Sequence, residues 1–224
     1  MRQIEVRLEH HTPLSICKNA IRTCWQSHDK SDTSTTTDTL GDKDITLIDN
    51  ISNKYRHHST IEHIHYTFDI IGISRLCLIE LTRHRLASYS VKSTRYTLQE
   101  LKNLRPLIPF HSQTIHDMNK FLVTPDYTYL NKDIYLLQVE QLERLRLAIK
   151  DNVKTDIAKY LLPESYRTEL YFTLNARSLR NLLELRLSNK AHFEIRYLAK
   201  LLYDALPQEH RVLFSDIANL KDKE

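Results

Sequence analysis

Two groups of cationic and polar side chains have the types and spacing that binding of an anion requires. The first is Arg83-His84-Arg85, which is followed, after seven intervening residues, by Ser93 and then by Arg95. Arginine presents a planar fork of N–H donors that fits phosphate oxygens and carbonyl groups, and serine adds a neutral donor. An isolated Arg-His-Arg run is usually a solvated basic surface. The hydroxyl and the second arginine favour a site that grips an extended anion. If the run is helical, its side chains point about 100° apart and contact different parts of that anion.

The second group lies on a predicted helix that begins near Ala176 and that Asn175 precedes. At about 100° per residue, Arg177 and Asn181 share one face of this helix. Arg186 falls on the opposite face, which is apolar and contains Leu179, Leu182 and Leu183.

An arginine on an apolar helix face needs an acceptor, because an unpaired buried guanidinium costs on the order of several kcal/mol. For Arg186 the acceptor is either a bound carbonyl or anion, or an internal carboxylate such as Glu184 or Glu194. Periodicity does not decide between these alternatives.

The histidines and cysteines predict neither a metal site nor a nucleophile. The histidine-rich stretch His57–His65 has no carboxylate or cysteine at a recognisable ligand spacing. The three cysteines form no CxxC pair, and their odd number suits a reducing compartment. Cys24 and Cys77 are expected to be inert core residues on helix faces.

Composition excludes several classes of protein. With 224 residues, the chain fits a single domain, 1–224. It has only two glycines, which excludes a GxGxxG turn and a Walker loop. No apolar run is long enough to span a bilayer, and the N-terminus lacks a signal-peptide core, so we expect a cytoplasmic protein without a membrane partner. Clustered cations at a net charge of +4 favour an anionic partner.

The first quarter of the chain predicts a strand, a helix and a loop. Residues 4–8 alternate apolar and polar, which is typical of a strand with one buried face. Thr12 and Pro13 resemble an N-cap and the first position of a helix. Residues 28–44 contain almost no apolar side chain and predict a mobile polar loop, which a short helix from Ile45 follows.

The remaining elements predict an α+β fold with a mixed or antiparallel sheet and packed helices. Residues 64–70 alternate as a strand that Gly72 ends, and Ser74 can cap a helix that reaches Arg83. Helices are predicted over 112–122 and over 132–161, the latter with a break near Asn152. Residues 166–174 alternate again, and the C-terminal third is helical. The strands and helices lack βαβ regularity, which argues against a doubly wound sheet.

Arg83-His84-Arg85, seven residues and Ser93, followed by Arg95-Tyr96, resembles the signature of the flavin-dependent thymidylate synthases. The resemblance extends to further segments and covers most of the chain: Ser59-Thr60-Ile61-Glu62-His63, Asn175-Ala176-Arg177-Ser178-Leu179 and Leu185-Arg186. It implies a homotetramer with FAD at the subunit junctions. It also implies dUMP, NADPH and methylenetetrahydrofolate as the other reactants.

Site residues follow from the resemblance by position. Residues that match FAD contacts are Ser59, Arg83, His84, Arg85, Asn175, Arg177 and Asn181. Residues that match the dUMP-binding set are Glu80, Arg83, Ser93, Thr94, Arg95, Lys159 and Arg186. Lys159 stands where the family usually has a phosphate-binding arginine, and Glu80 where it more usually has glutamine. Arg186 corresponds to the catalytic arginine that activates the uracil ring.

The implied reaction is the reductive methylation of dUMP to dTMP, with release of tetrahydrofolate and without a cysteine nucleophile. Two other classes remain as alternatives. A basic nucleic-acid-binding protein would use the cation clusters, with Tyr89 and Tyr96 as stacking residues. A purely structural oligomer would bind neither flavin nor nucleic acid. A visible flavin spectrum discriminates the enzyme from both, and the resemblance favours a protein without a nucleic-acid partner.

Overall fold

The computed structural model describes residues 4–124 and 131–217 and contains a four-stranded sheet. Its strands are β1 (Glu5–His11), β2 (His65–Ser74), β3 (Ala87–Val91) and β4 (Arg167–Asn175), in the order β1-β2-β4-β3. The backbone of Ala176 bonds to Ile64, whereas that of Arg75 bonds to Tyr166. Residue numbers therefore rise along β2 while they fall along β4, which is the antiparallel arrangement. The predicted α+β class with packed helices is confirmed.

Most α-helices of the described residues lie in segments predicted to be helical, whereas α4 was not predicted. They are α1 (Ser15–Cys24), α2 (Asp42–Asp49), α3 (Arg75–Leu81), α4 (Thr94–Thr97), α5 (Ser112–Phe121), α6 (Lys132–Lys150), α7 (Thr155–Ala158), α8 (Ala176–Arg186) and α9 (Phe193–Asp204). Short 3₁₀ helices cover His28–Lys30, Thr60–His63, Leu98–Asn103, Lys159–Leu161 and Gln208–Phe214, and a π-helical turn covers Asn50–Lys54. The predicted break in the 132–161 helix is confirmed, since Asn152 has a positive φ of 58°.

Three local predictions are wrong. Helix α1 has Leu14 at its N-cap, and the Thr12 hydroxyl instead accepts the backbone N–H of His65 at 3.1 Å. Gly72 does not end β2, which continues to Ser74 through a glycine φ of 89°. Ser74 caps α3 as predicted, but that helix ends at Leu81. Arg83-His84-Arg85 therefore lies in a turn and an irregular segment, not on a helix.

The chain divides into two compact units. Unit 1 comprises the described residues of Met1–Glu5, Ile70–Thr82 and Ser90–Leu170, and unit 2 those of Val6–Asp69, Arg83–Tyr89 and Tyr171–Glu224. In unit 1, the long helix α6 packs on the Leu98–Asn103 helix and on α5. Buried apolar side chains from these helices form its core, including Leu101, Met118, Leu142 and Leu145. The single domain over 1–224 stays a prediction.

In unit 2, α8 packs against α9 and against the Thr60–His63 helix. The inward face of α8 is apolar, with Leu179, Leu182 and Leu183 fully buried. Burial of such side chains contributes about 1.5–3 kcal/mol each and fixes the rotation of the helix. The face that remains in solvent carries Arg177 and Asn181.

The polar segment 28–44 of unit 2 is held by a buried carboxylate. Asp44 accepts hydrogen bonds from the Ser31 and Thr33 hydroxyls at 2.6 and 3.1 Å and from Arg22 Nη2 at 2.7 Å. Burial raises the pKa of Asp44, but the hydrogen bonds and the charge of Arg22 outweigh burial, so the pKa lies below its ordinary value. Lys18, also buried, donates to the Ser34 carbonyl at 2.8 Å. These bonds tether the segment more tightly than its composition indicates, and its mobility stays a prediction.

A second polar cluster of unit 2 joins the buried Tyr66 and His210 to the half-buried His11. The Tyr66 hydroxyl lies 2.9 Å from His210 Nδ1, and the rings of His11 and His210 meet edge to face at 4.8 Å. Burial, followed by the charge of His11, lowers the pKa of His210 from 6.5 to about 4.

Acidic pH should lower the free energy of unfolding, because His210 binds a proton more readily in the unfolded chain. Between its unfolded and folded pKa values, 6.5 and about 4, only the unfolded chain binds the proton. The free energy of unfolding therefore falls as the pH falls through this window, by up to about 3 kcal/mol. Urea unfolding at neutral and at mildly acidic pH measures the loss, and His210→Gln should reduce it. A smaller loss should remain from His58, because burial lowers the pKa of that histidine too. The control, His65→Gln at an exposed position, should keep the wild-type pH dependence. An equally steep loss in His210→Gln would contradict the assignment.

Candidate functional site

The predicted FAD set lies in unit 2, where α8 positions three of its members. Asn175 is the N-cap of α8, and its side-chain oxygen accepts the backbone N–H of Ser178 at 2.8 Å. Arg177 and Asn181 are exposed, one helical turn apart on the same face. The helical wheel predicted this shared face correctly, because Leu179, Leu182 and Leu183 point inward on the other side of the helix.

Arg186, the last residue of α8, is half-buried and contacts the Arg-His-Arg segment. Its Nε donates to His84 Nε2 at 3.0 Å. A histidine nitrogen accepts a hydrogen bond only when it carries no proton, so this contact requires the neutral ring with its proton on Nδ1. His84 is thus an acceptor for Arg186 that the wheel did not identify. Glu184, one of the carboxylates considered, lies 3.5 Å from a different arginine, Arg180.

The Arg-His-Arg segment alternates in exposure. Arg83 and Arg85 are exposed, whereas His84 between them is buried. The carbonyl of His84 accepts the Tyr89 hydroxyl at 2.6 Å, and the Tyr89 ring stacks on Phe172 at 5.1 Å. An inward histidine therefore anchors a turn that directs both arginines outward.

The Ser59 segment is joined to α8 by an ion pair. Glu62, in the helix that Ser59 precedes, accepts from Arg177 Nη1 at 2.5 Å. Both partners are about half exposed, at 57% and 44% of the side-chain surface. Exposed pairs contribute only about 0–1 kcal/mol, so an anionic ligand can replace this pairing at low cost.

These side chains fit a dinucleotide cofactor. Arg83, Arg85 and Arg177 are exposed cations that suit a diphosphate, and Ser59 and Asn181 add an exposed hydroxyl and amide for neutral polar edges. The chemistry of the donors is therefore appropriate for FAD, although no glycine-rich turn contributes to it.

The residues predicted to bind dUMP lie in unit 1, apart from Arg83 and Arg186. Ser93 is the N-cap of α4, on which Thr94 and Arg95 lie. Arg95 donates to both oxygens of Asp156, from Nε at 3.1 Å and from Nη2 at 3.2 Å. Asp156 belongs to α7, which packs on α4 and which Lys159 directly follows. The fold thus brings Ser93, Arg95 and Lys159 into one neighbourhood, while Glu80 lies half-buried near the end of α3.

A cleft of about 220 Å³ in unit 1 contains none of these residues. It is lined by Lys92, Lys120, Arg167, Glu100, Glu169 and neighbouring residues. Lys92 lies 3.4 Å from Glu169, and Arg167 donates to the Asn119 carbonyl at 3.1 Å. Lys92, Glu169 and Arg167 therefore already have protein partners, and the cleft does not coincide with the predicted site.

Sequence reasoning missed the most buried arginine of α8. Arg180 is 2% exposed and donates to the Asn53 side chain at 2.9 Å and to the Leu213 carbonyl at 2.8 Å. It also pairs with Asp216. The signal was present, since Arg180 lies three residues before the buried Leu183, but its partners are remote in the sequence.

The three described cysteines differ in burial. Burial raises the pKa of Cys17 to about 12, against a weaker opposing hydrogen bond with Thr60, and Cys77 is buried as predicted. Cys24 is exposed, so the expectation that it fills the core is wrong: it ends α1 on the solvent side. Residues 4–124 and 131–217 contain no grouping of three or more potential metal ligands among His, Cys, Asp and Glu. Within the same residues no helix has the length and hydropathy to cross a membrane.

Comparison with known proteins identifies relatives over nearly the whole chain. The profile of the family described as thymidylate synthase complementing protein matches residues 7–210. A flavin-dependent thymidylate synthase of Helicobacter pylori (strain ATCC 700392 / 26695) is 49% identical over 214 residues, which is 95% of this chain and 98% of the relative. That of Campylobacter jejuni (strain RM1221) is 48% identical over 211 residues, 94% of this chain and 96% of the relative.

A solved structure supports the same assignment. Thymidylate synthase X from Helicobacter pylori, crystallised with FAD and dUMP, superimposes with a TM-score of 0.87 at 49% identity. The alignment covers 97% of this chain and 99% of that one. From its signature residues, its fold and these relatives, the chain belongs to the flavin-dependent thymidylate synthase family.

Proposed function

We propose that this enzyme converts dUMP to dTMP with methylenetetrahydrofolate as the carbon donor and FAD, reduced by NADPH, as the electron source, and that it releases tetrahydrofolate. The observation that carries the proposal is the hydrogen bond between Arg186 and His84. It joins the residue matched to uracil activation with the centre of the signature matched to FAD. Crystals of the Helicobacter pylori relative with both FAD and dUMP support the same pair of ligands. We place the reaction in the cytoplasm.

The role proposed for FAD is to supply the hydride that completes the methyl group. The side chains of Arg83, Arg85 and Arg177 would neutralise the cofactor diphosphate, and Ser59, Asn175 and Asn181 would meet its neutral polar groups. His84, which is buried, would act mainly by holding the turn and Arg186.

Arg186 would stabilise negative charge that develops on the uracil ring. Its bond to His84 engages Nε and orients the guanidinium, whose planar fork of donors suits a pyrimidine edge. A preorganised donor of this kind contributes most where water is excluded. Ser93, Thr94, Arg95 and Lys159 would bind the nucleotide phosphate and sugar, with Arg95 exchanging its exposed pairing to Asp156 for substrate.

Removal of Arg186 tests the catalytic assignment. We expect Arg186→Ala to retain the fold and bound FAD but to lose about 10²- to 10³-fold in the rate of dTMP formation, because the substitution removes the donor that would stabilise the developing charge. Arg186→Lys should fail nearly as badly, since it keeps the charge but lacks the planar fork. The measurement is dUMP-dependent oxidation of prereduced flavin with methylenetetrahydrofolate, beside a dUMP binding titration.

The matched control is Arg196→Ala, which removes a guanidinium from the neighbouring helix α9, where it contacts only Asn189 among the hydrogen bonds described. It should retain the wild-type rate. A near wild-type rate in Arg186→Ala would remove the assigned role. Loss of dUMP binding with FAD retained would show that Arg186 also holds substrate in the ground state.

Replacement of Cys17, Cys24 and Cys77 by serine or alanine should leave turnover largely intact. Two of these thiols are buried, and none is assigned to the reaction, so the expected loss is one of stability, not of rate. Turnover of the FAD-loaded triple variant is compared with wild type after both pass a circular-dichroism check of folding. Abolished activity in a folded, flavin-containing variant would overturn the cysteine-independent mechanism.

We expect the protein to be a homotetramer, with FAD sites completed by neighbouring chains. Light scattering should give a particle of four times the 26.6 kDa chain mass, yellow with bound flavin. The alternative of a nucleic-acid-binding protein predicts a colourless product whose affinity for DNA or RNA falls with salt. A monomer that still binds one FAD per chain would contradict subunit-shared sites.

A further inference from the structure

The phenol of Tyr89 lies behind the Arg-His-Arg segment in a position that nothing in the family assignment explains. Tyr89 is the central residue of β3 and is half-buried, while its neighbours Ser88 and Ser90 are exposed. Its side chain therefore points to the inner side of the strand, as the two-residue period requires. As a stacking residue for nucleic acid it would have to point outward.

Two contacts fix the Tyr89 side chain. Its ring stacks on Phe172 of β4, with centroids 5.1 Å apart and planes inclined by 28°. Its hydroxyl donates to the His84 carbonyl at 2.6 Å, and burial raises the pKa of Tyr89 to about 12, which keeps the phenol protonated as a donor. The ring thus sets where the hydroxyl lies, and the hydroxyl restrains the backbone of His84.

Through His84, the same hydrogen bond also restrains Arg186, the proposed catalytic arginine. The His84 ring accepts Arg186 Nε at 3.0 Å, so the backbone that Tyr89 holds carries the acceptor that orients Arg186. His84 lies outside regular secondary structure. A side-chain donor from a neighbouring strand is a physical means to hold such a segment.

Building on the proposed function, we propose that Tyr89 is a positioning residue for catalysis, which orients Arg186 through the backbone and ring of His84. Tyr89 touches neither substrate nor cofactor in this role. The residue acts on the geometry of the guanidinium, where a displacement of about 1 Å can cost on the order of 10²-fold in rate.

Tyr89→Phe tests the inference, because it retains the stack on Phe172 and removes only the hydroxyl. We expect kcat for dTMP formation to fall by roughly tenfold with FAD retained and the KM for dUMP little changed, since a misaligned donor affects the transition state more than binding. A crystal structure of the variant should show the Arg186 Nε to His84 Nε2 contact lengthened beyond hydrogen-bond distance. This second readout does not depend on activity.

The matched control is Tyr66→Phe, which removes a buried tyrosine hydroxyl from the same unit. That hydroxyl bonds to His210, not to the Arg-His-Arg segment. Both variants should lose stability, because each leaves a polar partner without its hydrogen bond. Only Tyr89→Phe should lower kcat, and only Tyr89→Phe should alter the contact between Arg186 and His84.

A double-mutant cycle tests whether Tyr89 affects the rate through Arg186. If Tyr89 acts through Arg186, Tyr89→Phe should cause little further loss of rate in the Arg186→Lys background. Full additivity, unchanged kcat in Tyr89→Phe, or an equal loss in Tyr66→Phe would each overturn the inference. Loss of FAD affinity with normal kcat at saturating FAD would also overturn it, by assigning Tyr89 to the cofactor site. Absence of FAD binding and of dTMP formation in the wild type would instead refute the proposed function.

Discussion

The buried guanidinium of Arg180 fixes the helix on which the site depends. A charge that is 2% exposed is tolerated only where acceptors surround it, and here Asp216, Asn53 and the Leu213 carbonyl provide them. These partners come from the π-helical turn and from the C-terminal part of unit 2. Because loss of any of them would leave a buried donor unpaired, α8 has one favourable rotation. Arg177, Asn181 and Arg186 then take their directions from that rotation.

Side-chain periodicity predicted most of the regular elements correctly because burial imposes it. Strands β1, β2 and β4 and helices α5, α6 and α8 each have an apolar face that the sequence displays. The break at Asn152 was also visible, since asparagine tolerates a positive φ. The errors lie where one residue decides a boundary: Thr12 bonds across to β2, and Gly72 bends a strand without ending it.

The sequence predicted which residues belong to the candidate site, but not how they are arranged in space. The signature identified Arg83-His84-Arg85 and Ser93, but their placement in a turn results from α3 ending at Leu81. The pairings Arg177 with Glu62 and Arg95 with Asp156 join positions 115 and 61 residues apart, and no local pattern encodes them. Strand β3 was missed because it is a short edge strand whose alternation is weak. The acceptor of Arg186 was missed because a histidine, not a carboxylate, supplies it.

Segment 28–44 has two parts that differ in their tolerance of substitution. The difference is whether their side chains bond to the Asp44 carboxylate. Ser31 and Thr33 bond to Asp44 through their hydroxyls, so a methyl group in place of either would leave a buried acceptor under-occupied. Thr35, Thr36 and Thr37 are exposed, and the contact that joins Thr35 to Asn19 of α1 uses its backbone carbonyl. Any residue that preserves the backbone path can occupy that position. A peptide tag or a spectroscopic label would therefore be tolerated at Thr36 but not at Thr33 or Ser31, three and five residues earlier in the chain.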